Sequence, residues 1–227
     1  AVLMLHGRRR GDLAETLRIM PTLVDMGHSV LALSYRNHGE SAASPDGFYH
    51  YGGSEYQDAL TGLEFLAEQG AQQVVLYGFS LGGLVALETL EHLPEHSPQV
   101  VALVLDSPLV DPRSVIRSGA RNMGLPLSDT LADLGLLVAG LRAGIDWASL
   151  DQRESAASVS VPVLLIAGTD DRTVPVEAMD AFASRLPDVE YRRLEGVEHV
   201  AGWNRNPAAY EGWVRVFLQK HAPPATR

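Results

Sequence analysis

Cysteine is absent from this chain. Its absence excludes disulfides, thiolate metal sites and cysteine nucleophiles, so covalent chemistry of that type falls to serine; the redox compartment stays open. Positive charge is scarce as well: 18 Lys and Arg stand against 28 Asp and Glu, for a net charge of -10. The one basic cluster, Arg8-Arg9-Arg10, is too short for a nucleic-acid footprint, so neither nucleic acid nor an anionic membrane surface is an expected partner. Lys220 is the only lysine, a bias toward arginine that carries no mechanistic information. Long hydrophobic runs are missing too. The longest apolar region, Leu131 to Trp147, is broken by Asp133, Arg142 and Asp146 and falls short of the roughly 20 apolar residues of a spanning helix. No phosphate-cradling glycine loop and no metal-ligand spacing is found, so neither a cofactor nor a metal is expected.

The 227 residues, 46% hydrophobic and 20% charged, suit one domain over 1–227 with a large core. Short β-rich runs alternate with stretches of helical periodicity, which predicts a mostly parallel sheet with helices on both faces. Strands are expected at Ala1 to Leu5, Ser29 to Ser34, Gln73 to Tyr77, Val100 to Leu105, Val161 to Ala167 and Val189 to Leu194. Helices are expected at Asp12 to Met26, Ser54 to Glu68, Leu81 to His92, Val176 to Arg185 and Pro207 to His221. From Pro112 to Ser160 there is no strand signal, and this interval (112–160) reads as a small helical lid inserted between two strands; extra helical packing is the plainer alternative. Ala1 is not an initiator methionine and Ala1 to Leu5 already reads as a core strand. The natural protein is therefore expected to begin earlier, which leaves a secreted or membrane-anchored location open beside a cytoplasmic default.

One pentapeptide concentrates the chemistry: Gly78-Phe79-Ser80-Leu81-Gly82, between the apolar run Val74-Val75-Leu76-Tyr77 and the helix-like Leu84-Val85-Ala86-Leu87-Glu88. A serine between two glycines, where a buried strand turns into a helix, is the nucleophile elbow. The glycines leave room for a strained turn. Polar groups in a parallel sheet act from the carboxyl ends of strands. Four such ends carry His6-Gly7-Arg8, Ser80, Gly168-Thr169-Asp170-Asp171 and Val197-Glu198-His199. Serine needs a base with a pKa near the working pH, and the base needs an acid to hold its tautomer. His199, after the last strand, is the candidate base. Asp171 is the preferred acid, with Asp170 and Asp106 as alternatives. The backbone N–H groups of Leu81 and Arg8 are the expected oxyanion donors, while the side chains of Arg8, Arg9 and Arg10 are expected to be solvated. His6 and His38 are expected to hold their loops by hydrogen bonds.

With these residues placed, the chain resembles the α/β-hydrolase superfamily over nearly its whole length, and more narrowly the esterase-like group related to the dipeptidyl-peptidase and serine-aminopeptidase domains. The resemblance is carried by Ser34-Tyr35-Arg36-Asn37-His38-Gly39-Glu40-Ser41, the elbow from Gly78 to Gly83, Asp171-Arg172-Thr173-Val174-Pro175 and His199. It implies that the aspartate three residues before Val174 is the acid, which favours Asp171, and that Arg121 to Pro126 belongs to a short lid. It also implies that the first hairpin of the family's sheet is missing here. In the family a small pair usually precedes the histidine; here Val197-Glu198 does, so Glu198 either tunes the base or points to water.

The expected function is a metal-free serine hydrolase cleaving carboxylic esters through a covalent acyl-enzyme. Leu125, Leu127, Leu131, Leu134, Leu136, Leu137, Val138 and Leu141 suggest a modest-sized apolar acyl or alcohol group in a small-molecule ester. A peptidase or amidase of the same fold is the alternative, and hydrolysis of aminoacyl amides at rates matching esters would favour it. A non-catalytic binding module is a third reading, since fold alone does not establish activity.

Overall fold

The computed structural model describes residues 1–8, 13–124 and 126–224. Six strands, β1 (Val2–Leu5), β2 (Val30–Leu33), β3 (Gln73–Phe79), β4 (Gln99–Asp106), β5 (Val163–Gly168) and β6 (Val189–Leu194), form one sheet in the order β2-β1-β3-β4-β5-β6. Every neighbouring pair is parallel. Each connection must therefore cross a face of the sheet, and helices make those crossings. The helices are α1 (Ala14–Asp25), α2 (Tyr56–Glu68), α3 (Leu81–Glu91), α4 (Pro112–Asn122), α5 (Ser128–Ala143), α6 (Gln152–Ser155) and α7 (Val176–Ala183), with one 3-10 turn at Ala156–Ser158, and, after the last strand, α8 (Gly202–Arg205) and α9 (Pro207–His221).

The two-residue alternation of the strands divides the core. Leu3, Leu5, Leu76, Leu103, Leu105 and Leu165 pack with Leu63 of α2, Val85 of α3 and Phe182 of α7 on one face. Val2, Met4, Val75, Tyr77, Val104 and Ile166 pack with Ile19 and Leu23 of α1 and with Tyr210, Val214 and Phe217 of α9 on the other. Because both faces are covered, β1, β3 and β5 read as near-continuous apolar runs in the sequence.

The expected strands all form, with small shifts at their ends. β5 begins at Val163 rather than Val161 because Pro162 has no N–H to give to the ladder; its carbonyl instead accepts from Leu103 N–H. α2 begins at Tyr56 rather than Ser54, since the Glu55 carboxylate accepts the N–H groups of His50 and Gly52 and closes the preceding loop. The start expected for α1, Asp12, lies outside the described residues, as do Arg9, Arg10 and Leu125. Between β4 and β5, residues 112–160 hold α4, α5, α6 and the 3-10 turn, and no strand forms among their described residues. α4 and α5 pack on each other, joined by ion pairs between Arg117 and Asp133 and between Arg121 and Asp129, both 2.7 Å. No helix among the described residues is long and apolar enough to cross a membrane.

Candidate active site

Ser80 stands between the end of β3 and the first residue of α3, with φ 51° and ψ -112°. An L-residue there is strained, by about 1–3 kcal/mol, and persists only because its surroundings hold it. The Ser80 N–H donates to the Asp106 carbonyl at 2.9 Å, and the Ser80 carbonyl accepts from Gly83 and Leu109. Gly78 and Gly82 let the turn close: a Cβ on Gly78 would run into the Gly82 backbone, and one on Gly82 into the Leu5 carbonyl.

Three strand ends converge on this serine. His199 Nε2 lies 2.9 Å from Ser80 Oγ, and His199 Nδ1 lies 2.7 Å from Asp171 Oδ2. A carboxylate can only accept, so Nδ1 carries the proton and Nε2 is left as acceptor for the serine hydroxyl. The other carboxylate oxygen, Asp171 Oδ1, accepts the N–H groups of Thr173 and Val174, both at 2.8 Å. Those two bonds fix the carboxylate before it meets the imidazole. Asp171 and Ser80 are buried and the imidazole is partly exposed, so the site meets solvent at the histidine.

The two other carboxylates make no bond to the histidine. Asp170 is exposed, with Thr169 Oγ1 at 3.4 Å from its Oδ1. Asp106 is buried beneath the site, where its carboxylate accepts from Tyr210 Oη at 2.8 Å and from Ser107 Oγ at 3.1 Å. Burial raises the Asp106 pKa to about 6. Tyr77 Oη lies 2.8 Å from Tyr210 Oη and extends the network across the sheet. Ser107 Oγ also accepts from Val200 N–H at 3.3 Å, so Asp106 is linked through one hydroxyl to the residue after His199. Glu198 is exposed and points to water.

The loop after β1 lies directly against the serine: a Cβ on Gly7 would come within 3.3 Å of Ser80 Cβ. Gly7 N–H is already taken by Glu15 Oε1 at 2.8 Å, which leaves Arg8 as the next N–H along the loop. Leu81 is the first residue of α3, so its N–H has no intrahelical carbonyl to meet. The Arg8 side chain is exposed, as expected, and also has a surface partner: Nη1 donates to Tyr51 Oη at 2.8 Å, and the guanidinium sits 5.5 Å from the centre of that ring. Tyr51 meets Trp147 edge-on at 5.3 Å, and Trp147 Nε1 donates to the Leu136 carbonyl of α5. Sequence reasoning missed Tyr51, Ser107 and Tyr210, which act through partners distant along the chain, and Glu15, which turns back from α1 onto the Gly7 N–H.

His6 Nδ1 lies 2.6 Å from the Gly7 carbonyl and His38 Nδ1 2.9 Å from the Arg36 carbonyl, as expected of loop-holding histidines. Of the side chains expected to shape an apolar site, Leu136 is buried, whereas Leu127, Leu131, Leu134, Leu137, Val138 and Leu141 are exposed. A cleft of about 540 Å³, lined by Leu87, Leu90, Pro94, Val100 and Val159 among others, lies at the start of β4, the opposite end from Ser80.

The family can now be read from similarity as well as geometry. Residues 2–213 match the profile of the alpha/beta hydrolase family. This chain belongs to that family. Among curated proteins it is similar to human Protein ABHD12B, 29% identical over 210 residues, covering 88% of this chain and 53% of that protein. It is also similar to the lysophosphatidylserine lipase ABHD12 of Xenopus tropicalis, 28% identical over 188 residues, covering 77% and 43%. The hydrolase described here thus spans about half the length of the curated relatives it matches. Among solved structures, the Pyrococcus furiosus esterase Pf2001 superposes with a TM-score of 0.73 at 26% identity, covering 97% of this chain and 80% of that one. The esterase RhEst1 from Rhodococcus sp. ECU1013 shares the fold, with a TM-score of 0.65 at 20% identity, covering 97% and 90%.

Proposed function

We propose that this hydrolase cleaves carboxylic esters through a covalent acyl-enzyme on Ser80. His199 Nε2 takes the Ser80 hydroxyl proton as Oγ attacks the ester carbonyl carbon, and Asp171 stabilises the imidazolium that forms. The carbonyl oxygen becomes an oxyanion held by the N–H groups of Leu81 and Arg8. His199 then gives its proton to the departing alcohol, leaving the acyl group on Ser80. Water, deprotonated by the same imidazole, attacks that acyl carbon; the acid leaves and Ser80 recovers its proton. In this reading segment 112–160 is the lid, and the acyl or alcohol group is apolar and of modest size. The observation that carries the reading is the continuous chain Asp171 to His199 to Ser80, with bonds of 2.7 and 2.9 Å, on a strained elbow. For the apolar group, the support is the esterase and lipase names of the relatives.

The test is labelling with a fluorophosphonate, beside hydrolysis of p-nitrophenyl esters of increasing acyl length, on the wild type and Ser80→Ala. Label and turnover in the wild type that vanish in the variant are expected. A folded wild type that takes no label, or a variant that still turns over, overturns the covalent serine mechanism. Turnover of aminoacyl p-nitroanilides at ester-like rates would move the assignment to an amidase.

A further inference from the structure

Seven of the eleven large hydrophobic side chains exposed among the described residues fall between residues 123 and 141: Met123, Leu127, Leu131, Leu134, Leu137, Val138 and Leu141. Single exposed hydrophobics are ordinary, whereas a cluster of this kind marks a contact surface. Leu127, Leu131, Leu134, Val138 and Leu141 recur at i, i+4, i+7, i+11 and i+14, which places them along one face of α5. The opposite face carries Ala132 and Leu136, which are buried, and Ala139, which packs beside Trp147. α5 is therefore apolar on two opposed faces, with only one covered. A helix of that kind ordinarily has both faces buried.

The charge of the same hairpin points to what covers the outer face. Residues 112–143 contain four arginines, Arg113, Arg117, Arg121 and Arg142, against two aspartates, Asp129 and Asp133, for a net +2 in a chain of -10. Both aspartates are already paired with Arg117 and Arg121, which leaves Arg113 and Arg142 exposed, both at the end of the hairpin away from its turn, with the Arg142 guanidinium 5.9 Å from the centre of the Phe48 ring. The chain-wide charge, which argues against anionic surfaces, is thus locally reversed where the aliphatic face lies. That face has no tyrosine or tryptophan, the residues that usually anchor a protein partner. Fluid hydrocarbon needs no directional partner, and arginines beside an apolar helix face favour an anionic interface. The hairpin that carries the face reaches the candidate site at the end of α4, where Asn122 Nδ2 donates to the carbonyl of Arg172, the neighbour of Asp171.

We infer that the outer face of α5 docks the enzyme on an anionic lipid surface, with the mouth of the Ser80 site turned toward it. The docking itself does not depend on catalysis; its use in catalysis rests on the ester-hydrolase reading above. Flotation of Ser80→Ala with vesicles of phosphatidylcholine, and of a phosphatidylcholine–phosphatidylserine mixture, reads the surface alone. Binding to the mixed vesicles, weakening with added salt, is expected. Substituting Leu127→Ser, Leu134→Ser and Leu141→Ser together in the same background is expected to lower the partition coefficient about a hundredfold, roughly fivefold for each half-inserted leucine. These side chains are exposed, so Tm should hold, and in the Ser80 background turnover of a soluble p-nitrophenyl acetate should match the parent. A chain that stays in solution with both vesicle types, or a triple variant that binds like its parent, overturns the inference. So does a concentration-dependent dimer that the triple variant converts to monomer, since the face then belongs to a second copy. Loss of soluble-ester turnover in the wild type would instead count against the proposed function and leave the vesicle result standing by itself.

Discussion

Tyr210→Phe removes one oxygen atom, and its cost should depend on pH. In the wild type that oxygen donates to the buried Asp106 carboxylate at 2.8 Å and lies 2.8 Å from Tyr77 Oη. Burial raises the Asp106 pKa to about 6, so above that pH the group is a charged acceptor out of reach of water. A hydrogen bond to such a charge contributes about 1.5–3 kcal/mol, and below pH 6 the neutral carboxyl needs it less, by about half. A folded-state pKa above the ordinary carboxylate value of 3.8 means the folded state holds the extra proton, so the Asp106 contribution to stability falls as pH rises from about 4 to about 6 and is level above. Losing the tyrosine donor raises the Asp106 pKa further, which extends that fall to higher pH and deepens it. The variant should lose about 2–3 kcal/mol at pH 8 and about 1 kcal/mol at pH 5, or about 4–12 °C against 2–4 °C in Tm for a chain of this size. Urea unfolding at the two pH values measures it. Equal losses at both would refute a charged Asp106, and a loss that persists unchanged when Asp106→Asn is already present would refute the coupling.

Asp171→Asn keeps the size of the acid but favours the wrong imidazole tautomer, so kcat should drop about 10³- to 10⁴-fold with KM little changed; steady-state ester kinetics decide it. Glu15→Ala frees the Gly7 N–H and loosens the loop that carries the Arg8 donor. Its kcat should fall about tenfold or more, with a smaller change in Arg8→Ala, where the backbone N–H remains. Glu88, pushed up to about 7 by burial beside Gln152, is expected to make stability fall as pH rises between about 4.5 and 7. Glu88→Gln should flatten that part of the pH–stability curve, and an unchanged slope in thermal melts would exclude Glu88 as its source.

Periodicity and strand-end position nominate Ser80, His199 and an acid among Asp171, Asp170 and Asp106, because those signals are local: a glycine-flanked serine after an apolar run, an acid at a strand end, a histidine after the last strand. The same locality explains the strands, whose burial on both faces writes unbroken apolar runs into the sequence. The choice among Asp171, Asp170 and Asp106 needed the structure, since all three follow strands and only the turn geometry decides which carboxylate faces the imidazole. The Asp106, Tyr210 and Tyr77 network joins residues more than a hundred positions apart, a separation that no local pattern encodes. Leucine content alone likewise could not say which way α5 faces. By itself the sequence determined the elements, their order and which polar residues stand at the strand ends, since each depends on neighbours along the chain. The tertiary structure alone decided which carboxylate meets His199, what Arg8 touches and which leucines meet solvent, because those outcomes depend on how distant segments pack in space.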